Sequence, residues 1–406
     1  MTLPKENEDI TALKKRCHSG DENFSLGPNT HCIFSATAAK EFSQKNYQDL
    51  TLPDRLIDIL RRRSSSVVSW QEIRSGWIDV LKNQNTAPAL KELYERMSHF
   101  WEVASLEAET DFSDLIQWMT VGSLLPSLVN DLSGEERQLI EADQKNKLSF
   151  LLAEKTSVSA RQRWLMAWRS MRAASVFRRA IKRRSKEEQR PDLLQTVVQL
   201  LPRLGMDRAV DAMVTVHTAV NGPPGAALGC LAFELSRRPE WMVRIREQLD
   251  GVSIDDFCQS PMTVSSDLMA FVREVLRMWN VPVVFRNARK ALDVAGQQMS
   301  LDASVIMSPY FIHRNPQYWP DPDIFKPERW LERQQLVSGT YVPFGWAPKH
   351  CVGAQLGTVQ MLLLGYLLTK DFSIEVDERS RPHIVMTALP TPMDFKGKVV
   401  PRTESQ

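Results

Sequence analysis

The chain has no run of apolar residues near the roughly 20 that a membrane span requires, and its first 20 residues are rich in Lys, Glu, Asp and Asn. The expectation is a protein without signal peptide or membrane anchor. It also lacks a Gly/Ser linker, a low-complexity stretch and any repeat with a period of 20 to 50 residues, which excludes a solenoid. A domain per about 150 residues would make two or three; without a marked boundary, residues 1–406 read as one domain, with 1–27 expected to be irregular or remodelled. An excess of one charge is missing too. Lys plus Arg number 51 against 49 Asp plus Glu, a net +2, which speaks against nucleic acid as the main partner. The five cysteines, Cys17, Cys32, Cys230, Cys258 and Cys351, are odd in number and irregularly spaced. They fit reduced thiols in a cytoplasmic setting better than a disulfide framework.

What is present is a globular composition, 43% hydrophobic and 25% charged. From about Leu56 to Phe233 apolar residues recur at helical spacing, with Pro and Gly falling between segments. Residues 204–249 carry the longest pattern, read as one long core helix broken at Asn221-Gly222-Pro223-Pro224-Gly225. Strand-like runs are short and mostly C-terminal: 281–285, 292–294, 305–307 and 373–376. The fold class is mainly α with small β-sheets, α+β. The basic runs Arg61-Arg62-Arg63 and 178–190 read as solvated helix ends or loops, with a docking surface for an acidic protein as the alternative.

Four constellations carry chemistry. In Phe344-Gly345-Trp346-Ala347-Pro348-Lys349-His350-Cys351-Val352-Gly353, a cysteine stands where a loop meets an apolar helical run. Backbone N–H groups and the positive end of a helix stabilise a thiolate there, the form that ligates a metal. Gly353 lets the backbone pass close to a flat group. Glu274 and Arg277, three apart, share a helix face and on their own read as a surface ion pair. Residues 321–330 follow with Pro327-Glu328-Arg329-Trp330. Trp70 and Arg74, four apart, lie one turn above each other.

These four, taken in chain order from Trp70 to Gly353, resemble the cytochrome P-450 family. Its signature Phe-x-x-Gly-x-Arg/Lys/His-x-Cys-x-Gly is met at Phe344, Lys349, Cys351 and Gly353, with Ala347 in place of the usual glycine. The resemblance covers about residues 70–401 and implies the cytochrome P-450 fold, with haem b (iron protoporphyrin IX) between a long oxygen-binding helix and the helix after the cysteine loop. It implies Cys351 as iron ligand and Phe344 as a shield for its sulfur. Trp70, Arg74, Lys349 and Arg286 would hold the propionates, with Arg289 as the alternative to Arg286. Glu274, Arg277 and Arg329 would form a buried structural network.

One expected feature is missing. Counting back from Ala227-Leu228-Gly229 and Arg238-Pro239-Glu240, the acid and alcohol that relay protons in monooxygenase members fall on Gly222-Pro223, and neither can do so. Candidate distal residues are Asn221, able to orient water or substrate, and Pro223, as a fixed distortion of the helix; His217 and Thr218 lie a turn earlier. The leading reading is an enzyme that activates dioxygen to oxidise a small organic molecule in specialised-metabolite biosynthesis, a monomer fed by a separate ferredoxin-type electron donor. The alternative is an isomerase or dehydratase acting on a preoxidised substrate without external electrons. A haem-binding sensor or partner protein without enzymatic activity is the third.

Overall fold

The computed structural model describes the chain except residues 1–4, 7, 19–21, 52–67, 152–158, 188, 333–335 and 403–406. The basic run at Arg61-Arg62-Arg63 lies outside the described residues, as does the start of the helical pattern at Leu56. Two compact units arise from interleaved segments: Met1–Ser65, Ala270–Ala354 and Ile384–Pro390 form the first, and Ser66–Met269, Gln355–His383 and Thr391–Gln406 the second.

The first unit is built on a five-stranded sheet in the order Asn23–Gly27, Thr30–Ile33, Ser304–Met307, Val284–Ala288, Leu50–Thr51. Thr30–Ile33 runs parallel to Ser304–Met307, pairing Cys32 with Ile306, and the other neighbours are antiparallel. Ile33, Val305 and Met307 pack with Phe42, Leu50 and Trp346 in its core. Phe42 comes from the Ala36–Lys45 helix, whose first turn is closed by Ser35 Oγ accepting from Ala38 N–H. The described residues among 1–27 are more regular than the sequence pattern suggested: a helix spans Glu8–His18 and a strand Asn23–Gly27. Burial of Ile10 and Phe24, the latter edge-on to Phe34 at 5.5 Å, supplies the reason.

The second unit is helical, and the long pattern of residues 204–249 divides further than the single break expected. Gly205, at φ 77°, ends the Leu193–Leu204 helix and precedes Met206–Asn221. Gly222 separates that from Pro223–Ser236, and Pro239–Gln248 follows. Pro223 and Pro224 occupy the first turn of their helix, where an absent N–H costs nothing. The carbonyls of Ala219 and Val220, four residues before them, therefore lack the amide donor of a continuous α-helix. Pro223–Ser236 is buried almost throughout from Gly225 to Leu235 and packs on Phe112–Leu128. The strands Phe372–Val376, Lys396–Pro401 and Thr110–Asp111 form an antiparallel sheet. A Cβ on Gly397 would fall 1.9 Å from the Glu375 carbonyl oxygen, so Gly397→Ala is expected to force the two strands apart and lower stability by about 1–3 kcal/mol. Denaturant unfolding would measure it.

In the basic segment 178–190, Arg179, Lys182, Lys186 and Arg190 are exposed as expected, whereas Arg183 and Arg184 turn inward. Arg184 is fully buried, donating to Asp192 at 3.0 and 3.1 Å and to Asp131 at 2.7 Å, and Arg183 meets Asp131 and Glu136. Asp192 is also the N-cap of Leu193–Leu204, accepting from Gln195 N–H. Composition hid this because the carboxylates are supplied from distant turns of the chain.

Candidate functional site

In the first unit the residues around Cys351 are held from behind by one buried carboxylate. Glu274 Oε1 accepts from Arg277 (2.7 Å), Arg329 (3.1 Å) and the Lys326 N–H (2.9 Å), while Oε2 accepts from Arg277 Nε and Trp330 Nε1, both at 2.9 Å. Burial alone would raise the pKa of Glu274, but the Arg277 hydrogen bonds and the charges of both arginines outweigh it and hold the carboxyl below its usual range. Arg277 reaches on to the carbonyls of His313, Pro322 and Ile324, and Arg329 to those of Pro320, Asp321 and Ile324. The pair that reads as surface decoration in isolation is a hub, with Glu274, Arg277 and Arg329 all buried.

Three successive residues entering the cysteine loop are fixed by neighbours of this hub in the fold or sequence. Tyr341 OH donates to the Arg273 carbonyl (3.3 Å), Val342 N–H to His313 Nε2 (2.9 Å), and Asn280 Nδ2 to the Pro343 carbonyl (3.0 Å). His313 Nδ1 faces the Arg277 carbonyl at 3.1 Å, so this nitrogen carries the proton and Nε2 accepts. Burial, then the Arg277 charge, push the His313 pKa down to about 3. Because that lies below the ordinary 6.5, the unfolded chain binds a proton that the folded chain refuses. The contribution of His313 is complete above about pH 6.5 and shrinks, by on the order of 1 kcal/mol per pH unit, as the pH falls toward 3. Unfolding free energies measured between pH 7 and 5 are expected to decline, and His313→Gln to flatten that slope. Sequence reading missed His313 and Asn280, which belong to no motif.

Past these ties the loop turns at Gly345, with φ 78°, and the Cys351 N–H donates to the Phe344 carbonyl at 2.8 Å. Phe344 is half-buried. The helix Ala354–Lys370 begins three residues on. Cys351 is exposed, whereas Cys32, Cys230 and Cys258 are buried and Cys17 half-buried. Burial holds the other thiols protonated, Cys17 and Cys258 at about 11, Cys32 at about 12 and Cys230 well above its ordinary value. A Cβ at Gly353 would lie 3.9 Å from Cys351 Sγ, so glycine leaves that flank of the sulfur bare. Lys349 Nζ donates to the Leu50 carbonyl on the edge strand.

Arg286, in Val284–Ala288, donates to the Phe285 carbonyl at 2.7 Å, and no carboxylate among the described residues pairs with it. Burial lowers its pKa. A half-buried guanidinium without a counter-charge suits an anionic group of a ligand. Arg289, its alternative, is exposed beyond the strand, with its N–H bonded to the Asp49 carbonyl.

In the second unit, the helix Trp70–Asn83 buries Ile73, Trp77 and Leu81 on one face and is anchored by Trp77 Nε1 donating to the Leu193 carbonyl (3.0 Å). Arg74 is half-buried on it; Trp70 is its first residue, but the Trp70 side chain lies outside what is described. The same holds for Asn221, the last residue of its helix. Pro223 is exposed. His217 is buried in a polar cluster: Asp143 Oδ2 lies 3.6 Å from Nε2, Gln144 Nε2 3.4 Å from Nδ1, and Asp143 also takes Lys147 at 2.8 Å and Ser170 at 2.8 Å. Gln117, which sequence reading passed over, packs against Gly225 just after the break, where a Cβ would meet its Oε1 at 2.0 Å.

Compared with known proteins, residues 226–395 match the family model described as cytochrome P-450. By that match and by its fold, the chain is similar to cytochrome P-450 proteins. A zebra fish cytochrome P-450 solved with abiraterone superimposes with a TM-score of 0.79 at 18% identity, over 97% of this chain and all of the other. The retinoic acid-bound cyanobacterial CYP120A1 gives 0.80 at 16% identity over 99% of this chain and all of the other. Among curated proteins, cytochrome P-450 3A30 of Fundulus heteroclitus is 24% identical over 237 residues, 55% of this chain and 46% of its own length. Tabersonine 6,7-epoxidase isoform 2 of Catharanthus roseus is 32% identical over 149 residues, 35% of this chain and 29% of its own length. The chain thus spans less than half the length of the curated relatives it matches. Haem, iron protoporphyrin IX, is the cofactor of the cytochrome P-450 family, and the first unit suits it: an exposed thiol before a helix, a glycine flanking the sulfur and an arginine without a counter-charge. No described helix is long and apolar enough to cross a membrane.

Proposed function

We propose that the chain is a haem-thiolate oxidoreductase that activates dioxygen to oxidise a small organic molecule in specialised-metabolite biosynthesis, with electrons from a separate ferredoxin-type protein. The observation that carries this is Cys351: the exposed thiol, on a loop whose entrance is tied by hydrogen bonds to the Arg273 carbonyl, His313 and Asn280. As iron ligand its thiolate would donate electron density, and bound haem supplies the oxidising chemistry. Arg286, Lys349, Arg74 and Trp70 would hold the propionates, Phe344 would shield the sulfur, and Gly353 would admit the flat ring. Arg286→Ala is expected to loosen haem by about 1.5–3 kcal/mol, roughly ten- to a hundredfold in dissociation, with Arg289→Ala near wild type. Haem transfer to a scavenger protein measures both.

A second reading rests on the helix break. With Gly222 and Pro223 where an acid and alcohol would stand, no side chain at those two positions relays a proton. An isomerase or dehydratase working on a preoxidised substrate needs none; an oxidase would draw on water or substrate, with Asn221 as a candidate to orient it. Turnover decides between them. A requirement for dioxygen and reductant, with Asn221→Ala lowering the yield of product per electron, supports the oxidase. Anaerobic turnover of a peroxide or aldoxime without reductant supports the isomerase or dehydratase.

A further inference from the structure

The broken helix is braced by Phe112–Leu128, which packs against both Met206–Asn221 and Pro223–Ser236. One polar side chain of that brace, Gln117, lies on the first turn after the break. A Cβ at Gly225 would fall 2.0, 2.6 and 2.9 Å from Gln117 Oε1, Cδ and Nε2, so glycine is what leaves room for the amide. One turn on, Gly229 faces Pro392, whose Cδ would lie 3.4 Å from a Cβ there, and Ser113, one turn before Gln117, donates to the Pro392 carbonyl at 2.7 Å. Further along, ring contacts hold the helix: Phe233 meets Phe395 at 5.9 Å, and Phe395 meets Phe112 at 4.9 Å. The end nearest the break therefore has an amide against it where the rest has carbon. That first turn is short of ties of its own. Gly222 has no side chain to cap it, Pro223 and Pro224 have no N–H, and Ala226 N–H bonds the Gly222 carbonyl at 3.0 Å.

We propose that Gln117 is a positioning residue for the chemistry of the haem site: seated on Gly225, its amide fixes the turn at the break, and with it the polar groups of residues 219–222 that stand where an acid and an alcohol would. This rests on the haem-thiolate reading above. An amide suits the place for two reasons. It both donates and accepts, so it can serve a backbone in which the Ala219 and Val220 carbonyls lack the donor of a continuous helix. It also carries no charge at any ordinary pH, so it can sit half-buried without a counter-ion and hold one arrangement across the working range. The glycine beneath it fits the same account. Alanine forms helix better than glycine, yet at position 225 its methyl group would drive the amide off the turn.

The test uses the haem-loaded full chain as wild type, Q117A, Q117M and G225A, with carbon monoxide as the probe. Q117M keeps the length of the side chain and removes its amide. G225A keeps the amide but displaces it, at little cost because the end of a flexible side chain moves. Melting temperature, haem content and the red-shifted carbon monoxide band should match wild type in all three. Amide hydrogen exchange across residues 219–226 should quicken by about two- to tenfold in each, the range that one neutral hydrogen-bonding side chain is worth. The C–O stretching band of the reduced complex should shift or broaden, and product per electron should fall. Q117A/G225A should be no worse than either single variant, because both remove the same contact. Absence of the thiolate band in wild type would overturn the haem-thiolate reading and this proposal with it. With that band in place, the proposal alone is overturned if Q117A exchanges as wild type does, if Q117M behaves as wild type, or if exchange quickens while the C–O stretch and product per electron stay unchanged, which would leave Gln117 a packing residue only.

Discussion

Replacing Glu274 with alanine is expected to abolish soluble, haem-retaining protein. The carboxylate receives five hydrogen bonds from four residues, and its loss leaves Arg277 and Arg329 buried without their counter-ion. Breaking a buried pair from one side costs about 3–5 kcal/mol, a large share of the roughly 5–15 kcal/mol by which an ordinary domain is stable. The damage also spreads in a definite direction. Arg277 holds the His313 carbonyl, and His313 holds Val342 at the entrance of the cysteine loop. Glu274→Gln separates charge from shape: an amide keeps one acceptor oxygen, so an intermediate yield is expected. If Glu274→Ala gave normal yield and haem content, the hub would be inessential.

Cys351→Ala is expected to eliminate the red-shifted absorbance that reduced, thiolate-ligated haem gives with carbon monoxide, together with turnover. Cys32→Ala and Cys258→Ala should leave that band in place, because burial keeps those thiols protonated. Cys351→Ser is the more searching variant, since it preserves the size of the side chain and the Cys351 N–H to Phe344 bond while removing the soft ligand. A persisting band in either variant would move the ligand elsewhere.

How much of this was legible in the sequence varies with the kind of interaction. Helical periodicity located most of the second unit, and the strand-like runs at 292–294, 305–307 and 373–376 agree with strands to within a residue or two. The run at 281–285 is shifted, with the strand at Val284–Ala288, because its register is set by pairing Val284 with Met307 and Leu50 with Ala288, partners that local pattern does not reveal. The sheet around Asn23–Gly27 and Thr30–Ile33 was missed for a similar reason: its strongest partner, Ser304–Met307, is far along the chain. At the site, Glu274, Arg277 and Arg329 were visible through motif order, not through their spacing. His313 and Asn280 were not visible, because a side chain that supports a backbone amide leaves no pattern of its own. The same applies to Arg184, whose burial depends on Asp131 and Asp192.

The break at Gly222 has a consequence for what the helix can hold. Pro223 and Pro224 deny the carbonyls of Ala219 and Val220 the amide hydrogen that a continuous helix would supply four residues on. Where a peptide carbonyl lacks its helical donor, an outside molecule is distinguished by whether it carries a hydrogen to give. Alcohols, amines and water have a hydrogen to give and can be held; ethers, ketones and esters have none. The preference is also constant across pH, since neither a peptide carbonyl nor a proline titrates, whereas a carboxylic acid at the same place would change its hydrogen-bonding sense with every proton gained or lost.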